Sequence, residues 1–509
     1  MSKPFFLIIL IKILAVGALS ACAGSSPTLP QPTSSPSLEV GDFTPTRTTT
    51  ASQQPEVETT PTHTLLPVQE DALHQNAQYN LTAELDYGQH LLSVEEKISY
   101  FNNSSDVLHE LLLMVDAQYY NGVFHLEEIT WEDGNPVEDF AWEGSILRIP
   151  LDQGLAPGEQ IGLSISYYLQ LPSPTPSPDI RPIPFGYTAR QTNLVDWYPF
   201  IPPYDPDQGW LAHERGYFGE HLVFEMADFE VSIRLLDQRD DLTIAASSPA
   251  RVDGEWYRYE HPQARNFVWS ASHQYQVTSE QVGDVTVMAY AFPFDQKAGA
   301  AVLKTTAEAL MLYQEMFGPY PREMLSVVEA DFLDGMEFDG LYFLSNGFYN
   351  IYQGAKHEYL IAIAAHETAH QWWYAQVGND QAIEPWLDEA MCTYSERLFY
   401  ENLYPESLDW WWQFRIYYYD SKGWVDSTIY DSSGYRAYRD AVYLNGAIFL
   451  EELRTLVGDQ VFFGFLKDYA ATSSGQISNT SHFFTLLKTH TPADIELLLE
   501  KYFKEPVYK

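Results

Sequence analysis

Cations are scarce in this 509-residue chain: 28 Lys and Arg stand against 70 Asp and Glu, a formal net charge of −42. A surface of that sign repels phosphate backbones and anionic headgroups, so nucleic acid is disfavoured as a partner and so is direct docking onto anionic lipid. Solubility in an extracellular or salty medium accounts for the charge, although its diffuse field could also draw cationic peptides. Cysteine is scarcer still. With only Cys22 and Cys392, and Cys22 in a processing signal, no intramolecular disulfide is expected and stability must come from a core. Beyond the N-terminus no apolar run is long enough to cross a bilayer, and no internal repeat is evident.

What is present begins with an address. Lys3 precedes an apolar run from Phe5 to Ala18, interrupted by Lys12, and Leu19-Ser20-Ala21-Cys22 follows. The run fits a secretory signal better than a spanning helix. Leu-Ser-Ala-Cys resembles the bacterial lipobox, which implies that Cys22 becomes a lipidated first residue anchoring the chain outside the cytoplasm; an ordinary cleaved signal is the alternative. From Cys22 to Glu70, Pro, Ser and Thr supply 25 of 49 residues. Such a composition buries too little apolar surface to fold and reads as a tether.

The remaining chain is long enough for two domains, each with its own core. From 76 to 282 the pattern is strand-like: Phe229, Val231, Ile233 and Leu235 alternate with Glu230, Ser232 and Arg234, the period of a half-buried strand. From 283 onward helical periodicity takes over, in Lys297 to Phe317, Tyr359 to Val377 and Ala447 to Leu456. The domain plan is therefore a signal at 1–21, a tether at 22–75, a β domain at 76–282 and a mainly α domain at 283–509, an α+β multidomain class.

The chemistry is concentrated in His366-Glu367-Thr368-Ala369-His370. Side chains four apart on a helix lie one turn above each other, so His366 and His370 can converge on one ion. Glu367, rotated off that line, would face a water and not the ion, where a general base belongs. Catalytic zinc takes three protein ligands and leaves one position open. Glu389, 19 positions after His370 in Trp386-Leu387-Asp388-Glu389, is the candidate third ligand. Gly378 and Asn379 could close the first helix, and Pro385 suits the first turn of a second. Glu396, two turns beyond Glu389, either orients a ligating imidazole or makes a surface ion pair. Cys392 reads as a small buried apolar residue. The aromatic run Trp410-Trp411-Trp412 with Tyr417-Tyr418-Tyr419 reads chiefly as core, with a pocket lining as the alternative.

His366 to Trp373 together with Trp386 to Glu389 resembles the gluzincin zinc peptidases of the aminopeptidase N and leukotriene-hydrolase type, over residues from about 80 to the C-terminus, with Trp197-Tyr198-Pro199 a weaker piece. The resemblance implies a saddle-shaped N-terminal β-sandwich domain followed by a thermolysin-like catalytic domain. It implies one Zn2+ held by His366, His370 and Glu389, with Glu367 as base. Asp334-Gly335-Met336-Glu337-Phe338 resembles the loop whose glutamate holds a substrate's free α-amine, so Glu337 takes that role, with Gly335 and Met336 beside it. Asp334 and Phe338 depart from the pattern at the usual first glycine and asparagine. Val442-Tyr443-Leu444-Asn445 resembles the segment of the catalytic tyrosine, with Asn445 in place of a lysine; Tyr443 is the first choice and Tyr438 the reserve. Only 66 residues follow Tyr443, too few for the large helical domain of many relatives, and an open cleft is expected. The reading is a cell-surface aminopeptidase acting on peptides. A zinc endopeptidase on the same site and a catalytically silent surface lipoprotein are the alternatives.

Overall fold

The computed structural model describes residues 75–173, 183–237 and 241–505. The expected signal, the lipidation residue Cys22 and all but the last residue of the expected tether lie outside them.

In the strand Ala77–Asp86 the side chains of Tyr79, Leu81, Ala83 and Leu85 are buried and their neighbours face outward. This is the alternation of a sheet with one face on a core. The strand sits in the middle of a seven-stranded sheet, antiparallel to Leu91–Phe101 and parallel to Ala227–Leu235. A three-stranded sheet built on Leu108–Met114 and Ile146–Leu155, and a four-stranded one containing Thr192–Leu194 and Trp269–Ser272, contribute to the same core.

A five-stranded mixed sheet leads into the helical half, in the order Gln276–Val282, Val285–Ala291, Met324–Ala330, Leu341–Ser345, Gly335–Phe338. The boundary drawn at 282/283 from sequence falls in the turn of its first hairpin, and both strands of that hairpin belong to this sheet. Met324–Ala330 is buried throughout, as a parallel strand covered on both faces must be. Period-two alternation then sorts its side chains. Leu325, Val327, Tyr342 and Leu344 join the core of the helices, whereas Val328, Ala330, Leu341 and Phe343 join the core of the β domain. Met336 and Phe338 lie on the β-domain side as well, so Glu337 between them is turned toward the helices.

The helix Tyr359–Ala369 is buried from Leu360 to Ala369, and a helix apolar all round belongs in a core. It is shorter than its periodicity predicts. His370 closes it, and the chain turns back with Ala375 N–H donating to His370 O at 2.9 Å. Gly378 and Asn379 do not cap it; they form a short strand parallel to Ile477–Ser478. A different constraint holds Gly378: a Cβ there would lie 2.6 Å from Arg265 Cζ. Pro385 directly precedes the second helix, Trp386–Leu403, as expected.

Arg265 ties the two halves together. Its buried guanidinium donates to the carbonyls of Phe224 at 2.9 Å, Ala375 at 3.2 Å, Gln376 at 3.2 Å and Gln476 at 2.8 Å. Burial pulls its pKa down to about 10, yet it stays charged at neutral pH. Arg265→Met strands these acceptors, and a buried unsatisfied group costs about 1–3 kcal/mol. The variant should unfold at a clearly lower urea concentration; an unchanged midpoint would show that the guanidinium does not join the halves.

Candidate metal centre

The two helices pack so that His366, His370 and Glu389 meet in a buried cleft. Glu389 Oε2 lies 3.2 Å from His366 Nε2 and 3.7 Å from His370 Nε2. Ligands about 2.0–2.1 Å from a tetrahedral zinc stand about 3.3 Å apart, so these donors are spaced for a shared ion. Two imidazole nitrogens and a carboxylate oxygen are also a donor set that zinc accepts.

Each imidazole is held from behind. His366 Nδ1 lies 2.9 Å from Glu396 Oε1, and His370 Nδ1 lies 2.6 Å from Asp388 Oδ1. Such contacts fix the ring and leave Nε2 for the ion. Of the two roles open to Glu396, orientation of a histidine is the one its position serves: it is fully buried and receives Arg415 Nη2 at 2.7 Å and Trp411 Nε1 at 2.8 Å. Arg415 overcomes the burial penalty and holds the Glu396 carboxyl below its usual range. Sequence reasoning assigned nothing to Asp388, although its place immediately before Glu389 on the helix was a usable signal. Arg415 carried no such signal, because only folding brings its π-helical turn, Trp411–Ile416, against Glu396.

Glu367 points into the same cleft, and its Oε2 is buried without a hydrogen-bond partner among the described residues. Burial pushes its pKa up to about 8, against the pull of His370 and His366. Gly335 makes room for it: a Cβ at residue 335 would lie 1.9 Å from Glu367 Oε1. Glu337 is buried two residues on and receives Gln381 Nε2 at 3.3 Å. The departures from the family loop are accommodated. Asp334 adopts a left-handed φ of 89°, where glycine is easiest. Phe338 packs edge-on against Phe343, and its carbonyl accepts from Gln371 Nε2 at 3.0 Å. Met336 is buried on the opposite face of the strand from Glu337.

Tyr443 lines the cleft from a π-helical turn, Asp440–Asn445. Its ring lies parallel to that of His366, and its hydroxyl donates to Glu389 Oε1. Tyr438 is fully buried between Phe218 and Tyr443 and does not line the cleft. The aromatic run divides: Trp411 is core, Tyr419 lines the cleft, and Tyr418 is 71% exposed. Cys392 is fully buried, with Sγ 3.8 Å from Trp373 O. The β domain contributes Glu220, from a loop, whose carboxylate oxygen lies within 4.8 Å of those of Glu337 and Glu389.

Residues 301–502 match the model of the peptidase family M1 domain. That segment is a peptidase family M1 domain. Among solved structures, an M1 zinc metallopeptidase from Deinococcus radiodurans is 20% identical, with a TM-score of 0.59 over 86% of this chain and 98% of that one. A mutant of that enzyme solved with a Tyr-Ser-Ala substrate superposes with the same values. A two-domain M1 zinc metallopeptidase mutant bound to L-arginine is 19% identical, with a TM-score of 0.60 over 86% of this chain and 96% of that one. No curated protein matches. The fold is the two-domain M1 architecture, a β-rich half followed by a mainly helical one, and the segment matching the M1 peptidase domain carries a donor set suited to zinc.

Burial opposes charge on His366, but Glu389 and Glu396 outweigh it and raise its pKa to about 9; His370 is likewise raised by its acidic surroundings. Without metal, both imidazoles therefore carry a proton at pH 7, whereas ligation requires the neutral ring. Zinc uptake at pH 7 should release protons, and apparent affinity should rise with pH until about 9. Calorimetry in buffers of different ionisation enthalpy measures the release; none at pH 7 would contradict this.

Proposed function

We propose that the protein is a zinc-dependent aminopeptidase that removes N-terminal residues from peptides on the outer side of a bacterial cell membrane, anchored there through Cys22. The exopeptidase reading rests on one observation: Glu220 and Glu337 place carboxylate oxygens within 4.8 Å of each other beside the candidate metal ligand Glu389. An ammonium group brings three donors and a positive charge to such a set. An internal peptide group brings one N–H and no charge, and would leave the buried Glu337 carboxylate without a cation. The solved neighbour carrying Tyr-Ser-Ala supports a peptide as substrate.

Zinc, when bound, supplies the Lewis acidity that polarises the scissile carbonyl and acidifies the attacking water. The chain's own residues do the rest. Glu337 and Glu220 fix the α-ammonium and so set the register of the first peptide bond. Glu367, with an unpartnered oxygen facing the cleft, accepts a proton from the attacking water and returns it to the departing amine. The Tyr443 hydroxyl, which donates to Glu389 Oε1 and lines the cleft, would donate to the developing oxyanion.

An endopeptidase remains the second reading because Phe338 replaces the loop's asparagine. Aminoacyl p-nitroanilides should be cleaved and N-blocked peptides spared; the reverse would overturn the aminopeptidase. Glu337→Ala should lower kcat/KM on free-amine substrates about 100-fold or more. Tyr443→Phe should cost about 100- to 1,000-fold in turnover, and Glu367→Ala should abolish it with the fold intact.

The anchor is supported by Leu19-Ser20-Ala21-Cys22. Among the described residues no helix is long and apolar enough to cross a membrane. Cys22→Ala should shift the protein from the membrane to the soluble fraction of cell lysates; unchanged sedimentation would remove the lipid anchor.

A further inference from the structure

The cleft continues past Glu337. That carboxylate also walls a second, partly open pocket with about 60 Å³ of free volume, bordered on its other side by loops of the β domain. Leu222, Phe224, Met336 and Phe338 give it an apolar lining, and Asp196, Arg215, Glu220 and Glu337 give it charged groups.

Asp196 and Arg215 are not equivalent. Arg215 is engaged elsewhere, donating from Nη2 to Asp116 at 3.1 Å and from Nη1 to the Tyr120 hydroxyl at 2.9 Å. His221 Nε2 also lies 3.3 Å from Asp116, so the Asp116 carboxylate is surrounded and the guanidinium neutralised. No hydrogen bond and no ion pair within 4.0 Å reaches the Asp196 carboxylate among the described residues. Its main chain is nonetheless firmly held. Val195 and Trp197 on either side are buried, Trp197 Nε1 donates to Phe267 O at 3.0 Å, and Asp196 itself sits at a left-handed φ of 48°.

We propose that this cavity receives the side chain of the substrate's first residue, and that Asp196 makes the enzyme selective for a basic one, lysine or arginine. The inference rests on the aminopeptidase reading, since it is the α-ammonium at Glu337 that aims the first side chain into the cavity. A long basic side chain suits both parts of the lining, with its methylenes against the apolar wall and its charged end at the carboxylate. A neutral side chain would displace water from the Asp196 carboxyl and offer it no hydrogen-bond partner, which is costly in a recess. Burial and the neighbouring Asp116 already push the Asp196 pKa up to about 8, so a ligand cation favours the ionised form. The net charge of −42 adds a field that steers cationic peptides toward the molecule.

The test compares kcat/KM on lysyl, arginyl and methionyl p-nitroanilides for the zinc-loaded enzyme and its Asp196→Asn variant. Asparagine tolerates the left-handed backbone and removes the charge. The enzyme should favour the basic substrates over methionyl by about 10- to 100-fold, and Asp196→Asn should collapse that ratio toward one. No basic preference, or a ratio unchanged in the variant, would overturn the proposal. Calorimetry of L-lysine against L-norleucine on zinc-loaded Glu367→Gln reads the cavity without turnover. Tighter lysine binding that Asp196→Asn removes supports the cavity even if every aminoacyl substrate is refused, an outcome that would overturn only the aminopeptidase reading. Equal binding of the two amino acids overturns the cavity.

Discussion

Buried negative charge is the constraint from which the site follows. Glu337, Glu367, Asp388, Glu389 and Glu396 are all buried around two imidazoles. Among the described residues the one guanidinium ion-paired with any of them is Arg415. Carboxylates in a low-dielectric interior either acquire protons or acquire cations. The metal-free arrangement does the first, with Glu367 pushed up to about 8 and His366 held as imidazolium to about 9. In the proposed reading a divalent ion at the Nε2 atoms and an ammonium at Glu337 would accomplish the second. One electrostatic deficit would then select both cofactor and substrate, with Asp196 adding one more acidic group.

That deficit is tolerable because the scaffold beneath it is rigid. The five-stranded sheet has no solvent-facing side at its centre: one set of alternating residues packs on the β domain and the other on the helices. Glu337 therefore cannot move without disturbing both cores, and Gly335 brings the strand close enough to touch Glu367. Arg265, bonded to carbonyls from both halves, ties Phe224, four residues beyond Glu220, to the helical half.

Local spacing made half of the site legible. His366, Glu367 and His370 follow from the pitch of one helix, and Glu389 from a second helix whose start Pro385 announces. Glu337 and Tyr443 were visible through resemblance, and the geometry brings both to the cleft. What stayed hidden depends on distant chain. Glu220 and Asp196 belong to β-domain loops whose approach no periodicity encodes, and Arg415 reaches Glu396 only because its turn widens. Gly378 misled for a physical reason: glycine ends helices, but here it yields space to Arg265. The hairpin at 276–291 misled likewise, since alternation identifies a strand without naming the sheet it joins.

The two π-helical turns are placed where the chemistry needs an adjustment that a regular helix cannot make. Each inserts a residue into the helical ladder and rotates the following side chains. In Trp411–Ile416 this swings Arg415 under Glu396, which fixes His366 Nδ1. In Asp440–Asn445 it brings the Tyr443 hydroxyl to Glu389 while Tyr438 stays in the core. The first turn tunes a ligand from behind, and the second presents a donor from the front. Both sit on a segment rich in large aromatics, and the packing that buries Trp411 also holds the turn that carries Arg415. Tyr419, which lines the cleft, follows in the next turn, Tyr417–Tyr419, so one aromatic stretch supplies both a support of the metal centre and part of its lining.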